Sequence, residues 1–260
     1  MSFLGDVIDW FRDGSHWSGN DGVIHRLAEH VQISLVSILI AAAIALPIGI
    51  VLGHVRRGGL LAINVSNVGR ALPTFALLIL LVQILGIGDP PGLLAFTGSL
   101  PALIALVALA VPPMLTNAYI GMTQVDPDVR ESAQGMGMSG GQQLTRVELP
   151  IALPLVMAGV RTAAVAVVAT AALAAYIGYG GLGRFIIDGL STQDNVQVFA
   201  GALLVAMLSI AVEFALTGVQ RALVSPGLRV GRERIARDIE QAPVQAVATA
   251  PAPIGQIPSK

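Results

Sequence analysis

The chain has 260 residues, of which 54% are hydrophobic and 12% charged, with a formal net charge of -1. The charged share is about half the ~25% usual in soluble domains, and the mean hydropathy is +0.75. These values exclude a disordered chain and point to a polytopic membrane protein. The absence of cysteine excludes a disulfide framework, a thiolate nucleophile and Cys-ligated zinc.

The first 26 residues are polar and acidic and contain Trp10 and Trp17. A signal peptide needs a basic start followed at once by an apolar core. Neither is present, so the first span is expected to serve as an uncleaved insertion signal. The two tryptophans suit either an interfacial belt or burial in a small external cap.

Crossing a bilayer takes ~20 mostly apolar residues as a helix. Val31 to Gly53, Ala71 to Gly88, Gly92 to Val125 and Thr162 to Gly183 carry no charge, and Val198 to Val219 carries only Glu213. These runs predict an all-α protein with about five transmembrane helices. Residues 1–26 form an external segment, 27–221 the transmembrane domain, and 222–260 a tail that is partly disordered because its Ala/Pro/Gln-rich end has little to bury.

Basic residues set the orientation, because cytoplasmic flanks are enriched in Lys and Arg. Arg56 and Arg57 follow span one, Arg130, Arg146 and Arg161 lie between spans three and four, and Arg221 to Arg237 follow span five. With Arg70 and Lys260, 12 of the 15 basic residues fall on one face. The N-terminus is therefore expected outside and the C-terminus in the cytoplasm.

The cytoplasmic loop of about 123–154 is the most informative segment. Asp126-Pro127 reads as a helix start, with Asp128 and Glu131 in a first turn where carboxylates meet the positive dipole end. Gly135, Gly137, Gly140 and Gly141 then interrupt it, and Gln142 to Leu149 reads as a second short helix stopped by Pro150. Two short helices joined by a glycine turn suit a docking element or a loop resting on lipid headgroups.

Glu131-Ser132-Ala133, three residues, Gly137, nine residues, then Val147-Glu148-Leu149-Pro150 resembles the EAA signature of ABC-importer permeases. Ser132 and Val147 are mild departures from that pattern. The resemblance implies that Glu131, Ser132, Ala133, Gly137, Leu149 and Pro150 belong to the element that contacts an ATPase subunit and follows its closure. It covers about Leu27 to Arg221.

Further segments resemble the subgroup that imports glycine betaine, carnitine, choline or proline. These are Asn20-Asp21-Gly22 with Glu29-His30, Ala45 to Gly49, Arg70 to Thr74, Thr116 to Tyr119, and Gly178 to Gly183. The resemblance implies a multi-pass protein of the bacterial inner membrane. Its implied partners are two ATPase subunits, a second permease subunit and an external binding protein, besides membrane lipid. No nucleic-acid partner is expected. The chain itself is expected to bind no cofactor, ATP and Mg being used by the ATPase.

Two glycine patterns, Gly135-x-Gly137-x-x-Gly140 and Gly178-x-Gly180-x-x-Gly183, match the dinucleotide fingerprint in letters only, since neither follows a strand in a βαβ unit. No Gly-x-x-x-x-Gly-Lys-Ser/Thr occurs, and the only lysine is Lys260. The chain is therefore not expected to be an enzyme. Gly49 and Gly53 form a small-x-x-x-small pair for close packing, within the subunit or at a dimer seam.

A charge near the bilayer centre costs ~2.5–3.5 kcal/mol on insertion scales, so charges there need partners. Arg161 and Glu213 lie at matching depths near the cytoplasmic face and are expected to pair, as a structural contact or as a gate. Arg70 suits a place on the path and equally suits snorkelling to the headgroups. Gln83, Thr116, Asn117 and Tyr119 suit a translocation path, and equally suit interhelical hydrogen bonds. His16, His25, His30 and His54 show no metal-ligand spacing and read as surface or interfacial residues. The competing readings are a permease for another small solute such as an amino acid, and a stand-alone secondary transporter or channel.

Overall fold

The computed structural model describes residues 3–59, 64, 67, 69, 73–86 and 99–224. Among them the regular structure is helical throughout, with no strand. Buried backbone in hydrocarbon must satisfy its own hydrogen bonds, and a helix does so within one segment.

Helix α1, Phe3–Arg12, is followed by a 3-10 turn at Gly14–His16. The turn is capped by the Asp13 carboxylate, which accepts the Ser15 N–H at 2.9 Å. That bond holds the Asp13 carboxyl below its usual pKa. Helix α2, Val23–His54, has 32 residues. At ~1.5 Å per residue it is about 48 Å long, so it overshoots a ~30 Å hydrocarbon core.

Helix α3 is Thr74–Leu85 and α4 is Leu100–Thr123. The loop helices are α5, Pro127–Gly135, and α6, Gly140–Gln143, which passes through a π turn at Leu144–Glu148 into α7, Leu149–Ala171. A 3-10 segment, Ala172–Ile177, leads to α8, Gly183–Thr192, and α9, Asn195–Leu223, completes the described chain.

Helix α4 sits at the centre. Half of its most apolar stretch is buried, against 11% for α9. Ala102, Ala105, Ala110 and Met114 of α4 pack with Ile33, Ala41 and Ala45 of α2 and with Ala163, Val167 and Ala171 of α7. Alanine at these crossings lets helix backbones approach closely. Gly49 and Gly53 do the same at the α2–α4 seam. A Cβ on Gly49 would lie 2.7 Å from the Ala118 Cβ, and one on Gly53 would collide with Met122. The small-residue pair therefore works within the subunit.

Leu35, Leu39, Ile44, Ile48 and Val51 of α2, and Leu203, Met207, Ile210 and Phe214 of α9, are exposed on the single chain. Apolar helix faces of this kind belong against lipid or another subunit.

Four described segments are long and apolar enough to cross a membrane: Val23–His54, Leu100–Thr123, Gly140–Ile177 and Asn195–Leu223. The second expected span appears as the 12-residue apolar helix α3, flanked by residues outside the described set. Two boundaries differ from the sequence reading. Pro150 does not stop a helix: the π turn before it lets the Leu149 N–H reach Leu144 O, and Pro150 falls in the first turn of α7, where its missing N–H is tolerated. The helix carrying span four consequently starts at Leu149, and Arg161 lies twelve residues into it rather than at its start.

Candidate functional site

The loop between α4 and α7 is built by local capping. Pro127 occupies the first turn of α5, and the Asp126 carboxylate accepts the Asp128 N–H at 2.9 Å. The backbone turns at Gly137, φ +79°, a conformation that costs an L side chain but not glycine. Ser139 and Gln142 then form a reciprocal capping box at the start of α6.

On α5, Glu131 and Ser132 are exposed while Ala133 is buried. The Ser132 hydroxyl donates to Asp128 O at 2.7 Å. Glu131 lines an open cleft of about 340 Å³ with Arg56, Pro127, Arg130 and Gln134. Gly137 is exposed, and a Cβ there would meet nothing within 4 Å, so backbone conformation rather than space favours glycine. Leu149 packs against a cluster of Ala118, Met122, Ala152 and Val156, and Pro150 is exposed.

Glu148 is the residue that sequence reasoning missed. Its side chain is 0% exposed. Its carboxylate accepts from His54 Nδ1 at 2.6 Å, Arg130 Nε at 2.9 Å and Gln143 Nε2 at 2.7 Å. Arg130 Nη2 also donates to His54 O at 2.9 Å. Three helical elements thus converge on one carboxylate. His54 is therefore not a free interfacial histidine, because the fold brings it to a partner 94 positions away.

At the other end of α2 a second cluster forms. The Glu29 carboxylate accepts the Gly181 N–H at 2.7 Å and the Arg26 guanidinium at 2.9 Å. The Tyr179 hydroxyl donates to Glu29 O at 3.1 Å. His30, 1% exposed, donates from Nε2 to Val168 O at 2.8 Å, so it too is interior rather than surface. Trp10 stacks on His16 and meets Phe185 edge-on, and Trp17 donates to Phe11 O at 2.9 Å. Trp10 therefore belongs to a small cap over α2, α8 and α9.

The candidate path residues do not gather at one place. Gln83 is exposed on α3, about 140° round the helix from the buried Leu78. The Asn117 amide donates to Pro113 O within its own helix at 2.8 Å, and the same side chain packs on Gly159 of α7. Thr116 and Tyr119 are half-buried on α4, with the Tyr119 hydroxyl against Gly59. Arg70 lies outside the described residues. Arg161 and Glu213 do meet: Arg161 Nε is 3.3 Å from Glu213 Oε1, and Arg161 Nη1 donates to Thr217 Oγ1 at 3.2 Å. Among the described residues no group of three or more His, Asp or Glu is placed to hold a metal ion.

Residues 45–226 match the family described as the binding-protein-dependent transport system inner membrane component. The chain belongs to this family. The permease is 35% identical over 227 residues to the carnitine transport permease protein OpuCB of Listeria monocytogenes, covering 87% of this chain and 97% of that one. It is 33% identical over 211 residues to the glycine betaine/carnitine/choline transport system permease protein OpuCB of Bacillus subtilis, covering 81% and 93%. Among solved structures it is similar to the MetNI methionine ABC transporter in inward-facing conformations, with a TM-score of 0.64 at 22% identity over 78% of this chain and 96% of that one. The last likeness concerns the fold. The permease is thus an inner-membrane component of an ABC transport system, with helix as the regular structure of its described residues, and the EAA-like loop lies on a well-capped pair of short helices that exposes Glu131, Ser132 and Gly137.

Proposed function

We propose that this permease is the membrane-spanning subunit of an ATP-driven importer for small osmoprotectants, of the glycine betaine, choline, carnitine and proline class. The observation that carries the substrate class is the end-to-end likeness to a carnitine permease, at 35% identity over 227 residues. A second observation supports it. Glu29-His30 and the Gly178–Gly183 turn, two segments with the osmoprotectant-permease pattern, bond to each other through Glu29 and Gly181.

The proposed topology has five transmembrane helices, with residues 1–26 outside, 27–221 in the membrane domain and 222–260 in the cytoplasm. Two permease subunits pair, two ATPase subunits bind their cytoplasmic loops, and an external protein delivers the solute. ATP and Mg are bound and used by the ATPase subunits, and this chain supplies no catalytic residue.

In the proposed mechanism, ATP binding closes the ATPase pair and displaces α5 through Glu131, Ser132 and Ala133. Gly137 lets the chain reverse into α6. Leu149 and Pro150 carry the displacement into α7, and the membrane helices switch from inward- to outward-facing. Hydrolysis resets them. Arg161 and Glu213, joining α7 to α9 in the inner half of the bundle, act as a latch that separates when the helices part. Arg70, Gln83, Thr116, Asn117 and Tyr119 are proposed to meet the solute at separate points along the path rather than at one site.

The test is uptake of labelled glycine betaine, choline and carnitine by cells lacking this gene, at low and high salt. Loss of uptake restored by the wild-type gene supports the reading. Unchanged uptake in a strain with no other importer of these solutes overturns the substrate class.

A further inference from the structure

The loop from 124 to 148 is joined covalently to α4 and α7 alone. Nothing in the chain's connectivity makes α2 follow it. Yet α2 packs along the central helix α4 through Gly49, Gly53, Ala41 and Ala45. A displacement carried from α5 into α4 that left α2 behind would have to shear that close-packed seam.

The end of α2 is instead tied to the loop at several points. Glu148 accepts from His54, Arg130 and Gln143. Arg130 bonds His54 a second time, through its backbone carbonyl. Two residues on, Arg56 donates to Val125 O at 2.8 Å, and it does so from a backbone φ of +50°. A non-glycine residue keeps such a conformation only where its surroundings hold it. Glu148 has no access to water, so its carboxylate depends on these donors. Separating one of them strips a buried charge, which makes the cluster whole or broken and not gradually extensible.

We propose that Glu148, His54 and Arg130 are positioning residues that bolt the end of α2 to the loop, so that α2 moves with α5 as one body in the transport cycle. This rests on the reading of the loop as the ATPase contact. The bolt stays closed throughout the cycle, and it converts a push on α5 into movement of two membrane helices.

The experiment uses the complete importer in liposomes, with glycine betaine as the transported probe. It reads solute taken up per ATP hydrolysed, together with the melting midpoint of the complex. Glu148→Gln and His54→Ala are each expected to lower uptake per ATP roughly tenfold, within the usual range of coupling effects, while ATP hydrolysis persists. His54 is 23% exposed, so His54→Ala carries the test if Glu148→Gln does not assemble.

This chain has no cysteine, so in a complex assembled with cysteine-free partner subunits a His54→Cys/Glu148→Cys pair can be joined selectively by a short bifunctional thiol reagent. Joining is expected to restore uptake per ATP. Two outcomes overturn the bolt: wild-type uptake per ATP in the unjoined variants, or a joined complex that no longer transports, which would mean that the contact must open. Glu131→Lys runs in parallel. If it also transports normally, the loop reading itself fails; if it alone is uncoupled, only the bolt is wrong.

Discussion

The Glu29 carboxylate accepts the Gly181 N–H at 2.7 Å, across 152 positions of sequence. The bond ties the start of α2 to the turn before α8. The turn favours glycine at both positions: a Cβ on Gly180 would displace the Glu29 carboxylate, and Gly181 has φ +82°. Glu29→Ala leaves a buried N–H unpaired, which costs about 1–3 kcal/mol. The melting midpoint of the purified protein should fall accordingly, and Glu29→Gln should retain part of the loss. An unchanged midpoint in Glu29→Ala would show that the contact contributes nothing to folding.

Gly137 separates backbone strain from crowding. Its φ is +79° with open space around the Cβ position. A β-branched side chain there costs roughly 1–2 kcal/mol, whereas Asn tolerates the left-handed region. Gly137→Val is expected to abolish most transport while ATP hydrolysis continues, and Gly137→Asn to keep most of it. Equal loss in both variants would mean that the site needs the absence of a side chain, not the turn.

The two seam glycines make a stability prediction. Gly53→Leu and Gly49→Leu force α2 away from α4, where Met122 and Ala118 stand in van der Waals contact. Overpacking of this kind costs about 1–3 kcal/mol. Both variants should lower the yield of folded protein from membranes, with Gly14→Leu, which meets nothing within 4 Å, as the control.

Arg161 and Glu213 link α7 to α9 at 3.3 Å. A double-mutant cycle with Arg161→Leu and Glu213→Leu should give a favourable coupling energy of about 0.5–3 kcal/mol. The double variant should therefore melt above the sum of the two single losses. Strict additivity would remove the pair as an energetic contact, and with it the proposed latch.

This pair was legible because two opposite charges in apolar runs have few places to go, and their depths could be counted from the flanking arginines. The start of α5 was legible for the same local reason, since Asp126-Pro127 carries its own cap. Glu148 was not. It occupies the unspecified position of the signature, between Val147 and Leu149, and its partners His54 and Arg130 become neighbours only when the loop and α2 pack together. His30 was missed because its partner is the Val168 carbonyl, a group that every residue possesses and no sequence advertises. Pro150 misled because, after a π turn, it falls in the first turn of α7, where its missing N–H is tolerated. Gln83 and Asn117 illustrate the remaining gap: polarity within a span marks a group that needs a partner, and for Asn117 that partner is its own helix.

The decisive measurement is ATP-driven uptake of labelled glycine betaine by liposomes containing the importer purified through this chain, comparing wild type with Glu131→Lys. Wild-type uptake that depends on ATP and the binding protein, lost in Glu131→Lys while the complex stays assembled and ATP is still hydrolysed, is the predicted result. Uptake in Glu131→Lys equal to wild type would contradict the assignment of α5 as the element through which ATP hydrolysis drives transport.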